Sequence, residues 1–218
     1  MAADPRQEIV STGQYLLSHQ LAWGSTGNIS ARFDDNSFFI SASGASLGTL
    51  TTESLSLCRV NGETVTHNVT PSKEYKAHAA VYVNDPKARA VIHTSPPYIS
   101  LIAAARDFGE FAVEHFIEAA VMLQKIAWIP FMLPGSPEII EAVGNAAKGS
   151  DVLMMQNHGI MATGENMRKA LNKVDTMEFL CRMVIMAKSA GIELRAISKD
   201  ELEMLMNDSR ARNLNYGS

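Results

Sequence analysis

Between residues 27 and 66 the chain carries four short stretches of strand-type sequence, in two pairs each joined by a short turn. Gly27-Asn28-Ile29-Ser30-Ala31-Arg32-Phe33 and Ser37-Phe38-Phe39-Ile40-Ser41 are joined by the turn cluster Asp34-Asp35-Asn36, and residues 55–60 and 64–66 flank Asn61-Gly62. Asn-Gly favours a tight hairpin because both residues tolerate positive φ. Strands joined by turns this short can pair only antiparallel with their neighbours. The spacing therefore predicts about four antiparallel strands in succession.

Around this block the period changes. Ile9, Leu16, Leu17 and Leu21 fall near helical spacing and predict a first helix over residues 5 to about 23, closed by Gly24. Pro71-Ser72-Lys73-Glu74 opens a second helix running to Val83, with Ser72 as its N-cap and Asp85-Pro86 as its stop; Glu74 and His78 then share one helix face. Residues 91–95 read as a buried strand, 99–105 as a helical turn or two, 136–147 as a helix after Pro134-Gly135, and 152–155 and 159–162 as short strands around Asn157-His158. A long helix over residues 167–189 gathers Ala170, Leu171, Val174, Met177, Cys181, Val184 and Ile185 on one side and stops at Gly191. Beyond Ser198, alternating charges around Leu202, Leu205 and Met206 predict a docked C-terminal helix and a tail. With no repeat and no linker rich in Pro, Gly or Ser, the expectation is a single domain over residues 1–218. Strands gathered first, with helices around them, indicate an α+β or three-layer α/β/α arrangement.

Composition removes several function classes. A net charge of −4, with no clustering of Lys and Arg among aromatics, argues against a nucleic-acid surface. Cys58 and Cys181 are too few and too far apart for a disulfide scaffold, so a reducing cytoplasm is expected. Neither a basic-then-apolar leader nor an uncharged apolar run near the ~20 residues that span a bilayer is present, so no membrane association is expected. Small-molecule chemistry remains.

Three polar residues lie at the ends of predicted elements in otherwise apolar or turn-forming surroundings: Glu74, His93 and His158. One carboxylate and two imidazoles suit zinc or another divalent transition metal, with positions left for water and substrate. Alternation along the strand Ala90-Val91-Ile92-His93-Thr94-Ser95 puts His93 and Ser95 on the same face. A single histidine in a strand is more often a hydrogen-bonded core residue than a ligand, and His19 and His67 read as surface residues. His78 is placed to support the face that carries Glu74, and His115 has no evident partner. Separately, Gly27-Asn28, Ser43-Gly44 and Ser72-Lys73 are loops that offer backbone N–H groups and hydroxyls suited to a phosphate, the last of them at a predicted helix start. Each also fits an ordinary turn.

Taken in order, Gly27-Asn28-Ile29-Ser30, Ser43-Gly44, Pro71-Ser72-Lys73-Glu74 with His78, Val91-Ile92-His93-Thr94-Ser95-Pro96-Pro97-Tyr98, Pro134-Gly135-Ser136 and Asn157-His158-Gly159 resemble the class II aldolase/adducin family. The resemblance implies a three-layer α/β/α sandwich around a largely antiparallel sheet, and a cyclic homotetramer with sites between subunits. It further implies that Glu74 is the acid/base carboxylate and a possible ligand, that His93 and His158 are two of three zinc histidines, and that Gly27, Asn28, Ser43, Gly44 and Ser72 cradle the phosphate of a sugar-phosphate substrate.

The chain departs from the family pattern at several positions. Ser95 stands where the family has a second histidine in this strand, so water, Glu74 or His115 would have to complete the metal's shell. Phe131 falls where fuculose-phosphate aldolases carry a catalytic tyrosine, and Tyr216 in the tail resembles in position a second tail tyrosine that could donate a proton to a neighbouring subunit's site. Lys73 replaces the aldolases' Ser and resembles some sugar-acid-phosphate decarboxylases. The leading expectation is a metal-dependent aldolase cleaving a phosphorylated ketose or sugar acid by retro-aldol chemistry. The alternatives are a decarboxylase on the same scaffold and a non-catalytic, adducin-like binding homologue.

Overall fold

The computed structural model describes residues 4–107 and 112–208. Strands β1 (Asn28–Arg32), β2 (Ser37–Ser41) and β3 (Leu55–Arg59) form the expected antiparallel meander, with Ser30 opposite Ile40 and Phe39 opposite Leu57. The fourth stretch is not a strand. Only Thr64 bridges to Cys58, and the N–H groups of Val65 and Thr66 converge on one carbonyl, that of Leu57, so the ladder cannot continue. Strand β4 (Ala90–Thr94) pairs with the free side of β1, and β5 (Ile126–Ile129), β6 (Val152–Met155) and β7 (Gly159–Gly164) complete a seven-stranded sheet of order β3-β2-β1-β4-β7-β6-β5. Every pairing is antiparallel except β5 with β6.

The helices are α1 (Pro5–Ser18), α2 (Tyr75–Asn84), α3 (Pro97–Ala103), α4 (Ile117–Met122), α5 (Pro137–Ala147), α6 (Met167–Ala190) and α7 (Lys199–Asn207). Helix α1 stops well before residue 23: Gln20 takes φ +59°, and the N–H groups of Leu21 and Ala22 turn back to the carbonyl of Leu16. Helix α2 begins at Tyr75 with Glu74 at the N-cap position, so Ser72 is not its cap; the Ser72 hydroxyl instead accepts the N–H of Glu74 at 3.3 Å. The C-terminal helix is α7, closed at its start by a reciprocal pair between Ser198 and Glu201.

Period-two alternation divides the core into two layers. Ile29, Ala31, Ala90, Ile92, Val152, Met154, Ile160 and Ala162 face α1, α3, α4 and α6, whereas Phe38, Ile40, Val91, Leu153, Met155 and Met161 face α2 and α5. The result is a three-layer α/β/α sandwich. The antiparallel pairings bring the start of β1, the end of β2, the end of β4, the end of β6 and the start of β7 to one end of the sheet. Among the described residues no helix is long and apolar enough to cross a membrane.

Candidate active site

That end of the sheet gathers Glu74, His93 and His158. His93 shares the Val91 face of β4 and so points toward α2, where Glu74 sits at the helix start. The Glu74 Oε2 atom lies 3.2 Å from His93 Nε2, and Oε1 lies 3.3 Å from His158 Nε2. The two imidazoles meet edge to face with centroids 4.7 Å apart. One ligand atom from each of the three residues falls within 4.8 Å of the others, the only such triad among the described residues.

Each of the three side chains is aimed by its backbone or by a neighbour. The His93 Nδ1–H group donates to the carbonyl of Ile160 at 2.9 Å, leaving Nε2 toward Glu74. His158 sits between two residues with positive φ, Asn157 at +56° and Gly159 at +136°. Its N–H bonds to Met155, that of Asn157 bonds to Ala103, and its carbonyl accepts the Ser95 hydroxyl at 2.7 Å. The His158 Nδ1 atom is buried with no hydrogen-bond partner among the described residues, so this turn rather than a second ring contact sets the imidazole's orientation. Glu178 of α6 accepts the N–H groups of Tyr98 and Ile99, pinning the chain where it leaves β4.

The donor set calls for a cation. A carboxylate only accepts hydrogen bonds, and His93, having given its Nδ1 proton to Ile160, faces it with a bare Nε2 unless it takes a second proton. Burial alone would raise the Glu74 carboxyl, but the charges of His93 and His158 and their hydrogen bonds outweigh it and hold the group far below the carboxylate range. Burial likewise opposes the charged form of His93, and Glu74 overcomes it and raises the imidazole. A proton or a divalent cation satisfies the same arrangement, and two imidazole nitrogens with carboxylate oxygens fit a borderline metal such as zinc.

The remaining predicted residues fall around this cluster. Ser43 and Gly44 are exposed on the loop after β2, tied to the segment before α2 by the Ser43 N–H to Thr70 and by the Ser72 N–H to Ser41. Lys73 is exposed at the same lip. Gly27 enters β1 with φ +82°, and a Cβ there would lie 2.7 Å from the His93 carbonyl, so glycine lets β1 close on β4. Asn28 is 4% exposed and both ends of its amide are engaged within the protein, to Glu74 and to His78. Ser95 lies just past β4 with its hydroxyl on His158's carbonyl, and His115 is not part of the triad. Phe131, 60% exposed, follows β5 and donates its N–H to Gln156, two residues before His158. Tyr216 lies outside the described residues. Sequence reasoning did not find Ser30 and Tyr82, which join His78 in one hydrogen-bonded run, or Trp23, whose indole N–H reaches the Ser95 carbonyl at 3.3 Å. For the first two the signal was present in their spacing.

The fold and the cluster define a three-layer α/β protein with a candidate metal centre at one end of its sheet. The chain belongs to the class II aldolase and adducin N-terminal domain family, whose model matches residues 7–185. It is 28% identical to 3-oxo-tetronate 4-phosphate decarboxylase of Haemophilus influenzae over 93% of this chain and 96% of that protein. It is 27% identical to L-fuculose phosphate aldolase of the same organism over 94% and 93% of the two chains. Among solved structures, YgbL of Klebsiella pneumoniae, described as a putative aldolase/epimerase/decarboxylase, superposes with a TM-score of 0.85 at 28% identity, covering 92% of this chain and 96% of that one. An L-fuculose 1-phosphate aldolase superposes with a TM-score of 0.84 at 24% identity over 99% and 98% of the two chains, a likeness of fold.

Proposed function

We propose that this protein is a divalent-metal-dependent carbon–carbon lyase that decarboxylates a small phosphorylated 3-oxo sugar acid. The observation that carries the reading is the Glu74 carboxylate held between His93 and His158, beside the three loops at Gly27, Ser43-Gly44 and Ser72. In a 3-oxo acid the carboxylate is β to a ketone, so loss of CO₂ leaves an enolate that must be stabilised and then protonated on carbon. A divalent cation held by His93, His158 and Glu74, zinc foremost, would supply Lewis-acid stabilisation of that charge. Glu74, a carboxylate at rest, relays that proton from water to the carbon through Oε1, which carries one contact against the two on Oε2. Ser43, Gly44, Ser72 and Gly27 hold the phosphate away from the reacting bond and orient it. Lys73 pairs with an anionic group of the substrate.

Phe131 and Lys73 favour CO₂ as the leaving group. Carbon dioxide departs without a proton, whereas cleavage to an aldehyde needs an acid or base at the departing oxygen, which a phenyl ring cannot be. The retro-aldol reading is supported by the similarity to L-fuculose phosphate aldolase, with Tyr216 as the missing proton carrier. We take the working form to be a homotetramer in the cytoplasm, with sites between subunits; the exposed Trp23, Leu101, Leu133 and Met186 supply apolar surface for such contacts.

The test is metal analysis of protein purified without chelator, followed by CO₂ release from four-carbon 3-oxo acid 4-phosphates and aldehyde release from ketose 1-phosphates. Stoichiometric metal with CO₂ release is expected. Aldehyde release alone would move the assignment to the aldolase. Metal that binds only after Ser95→His, with neither product formed, would overturn the enzyme reading in favour of a binding homologue.

A further inference from the structure

Strand β1 and helix α2 pack with matched periods. Two residues along a strand advance roughly 6.7 Å and four along a helix roughly 6 Å, so alternate strand positions can face every fourth helix position. Asn28, Ser30 and Arg32 on β1 accordingly face Glu74, His78 and Tyr82 at and along α2. Asn28 Nδ2 lies 2.8 Å from Glu74 Oε2, Asn28 Oδ1 2.5 Å from His78 Nε2, His78 Nδ1 2.7 Å from Ser30 Oγ, and Ser30 Oγ 2.7 Å from the Tyr82 hydroxyl. His78 and Ser30 are fully buried and Tyr82 is 2% exposed.

The direction of every bond follows from its Glu74 end. The carboxylate can only accept, so the Asn28 NH₂ faces it and the Asn28 oxygen faces His78, whose Nε2 must carry the proton. The ring is fully buried with an amide oxygen on Nε2 and a hydroxyl on Nδ1 and no carboxylate on either nitrogen, so it is neutral and its Nδ1 accepts. The single Ser30 proton goes to that nitrogen, which leaves Tyr82 to donate to Ser30.

We propose that Tyr82, Ser30, His78 and Asn28 form a one-way donor chain that anchors Glu74 by Oε2 and leaves Oε1 to move protons, making the Asn28 side chain a positioning group for Glu74. This rests on the reading of Glu74 as the proton-moving carboxylate. The chain explains why polar side chains occupy the middle of a buried strand: each of them has its partner, so none carries the cost of an unmade bond.

The test uses the full chain, loaded with zinc and labelled with ¹⁵N in its histidine rings. At pH 7 the His78 ring should be the neutral Nε2–H tautomer; an Nδ1–H tautomer or a doubly protonated ring would overturn the chain. This spectrum needs no substrate, so it is decided separately from the lyase reading. In turnover, Asn28→Asp should lower kcat about 100-fold, the scale set by a misplaced reacting group. Its KM should stay within roughly threefold, since the interaction lost is not one that binds the ground state. A rise in KM with kcat kept would assign Asn28 to substrate binding alone and overturn the proposal. His78→Leu should show the same loss in kcat and His78→Gln, which can offer an N–H to Asn28, should restore at least about a tenth of the parent rate; equal losses in the two would also overturn it.

Discussion

Glu74 is the residue on which the site's contacts converge: His93, His158 and Asn28 all reach its two oxygens. Glu74→Gln keeps the shape and removes both the charge and the basicity. It should lower kcat by roughly 10²–10⁴, the range set by a lost general acid or base, while the fold survives; circular dichroism beside a turnover assay checks both halves. Ser95 acts at the same scale by a different route. Its hydroxyl ties the His158 carbonyl to the end of β4, so Ser95→Ala frees the turn that aims the imidazole without removing any member of the Glu74–His93–His158 cluster. Zinc affinity, read by competition with a chelator, should fall roughly tenfold, the lower end of what lost supporting contacts cost a metal site. An unchanged affinity would show that Asn157 and Gly159 hold His158 without help.

At the scale of elements, β4 and the turn into β7 form the frame of the cluster, and Gly159 is where they come closest. Its φ is +136° and a Cβ there would lie only 2.4 Å from the Thr94 carbonyl oxygen, so any side chain is both strained and blocked by backbone. Gly159→Ala should lower stability by about 3 kcal/mol in urea denaturation and weaken zinc binding with it. Gly44→Ala, at φ +74° with nothing within 4 Å, carries the strain alone and should cost about 1 kcal/mol. The contrast separates a glycine required by close approach from one required by its turn. What was legible in the sequence follows the same division. Strands bounded by turn chemistry and helices bounded by Pro and Gly could be read, as could Glu74, His93 and His158, because each is polar at the edge of an apolar run. Strand β5 has four residues with no period, and α4 has six; both owe their existence to packing against β6 and α6, which local sequence does not display. The stretch over residues 64–66 has a strand's composition and a hairpin's turn, but its donors meet on one carbonyl instead of a ladder. Ser30 and Tyr82 escaped because a serine in a strand and a tyrosine in a helix are ordinary until their spacings are laid against Asn28 and Glu74. The role of Ser95 was hidden for a similar reason: its partner is a backbone carbonyl sixty-three residues away.

For the whole molecule, the two buried histidines act on stability with opposite signs in the metal-free state. His93 has its folded value raised above the unfolded one, chiefly by Glu74 against the opposing effect of burial, so its contribution is complete below about pH 6.5 and is lost as pH rises through the folded value. His78 has its value depressed from 6.5 to about 3 by burial and then by His93, so below pH 6.5 the unfolded chain takes up a proton that the folded chain refuses, and stability falls by about 1.4 kcal/mol per pH unit. Glu74, also depressed in the folded state, adds to the loss only below its ordinary value near 4.5. These groups together place a stability maximum near pH 6.5 in chelator-treated protein, with an alkaline limb from His93 and an acid limb from His78. Urea midpoints measured from about pH 4.5 to 8.5 should trace that dome. His78→Gln should flatten the acid limb and leave the alkaline one, whereas His93→Gln should remove the alkaline limb and leave an acid limb that burial of His78 alone sustains, shallower for the loss of the His93 charge. Saturating zinc should lift the alkaline side most, because the metal takes the position of the proton on His93 and binds more tightly as that proton is released. A profile that rises or falls steadily across the range, unchanged by either substitution, would show that the cluster and the chain behind it do not govern how this protein responds to acid.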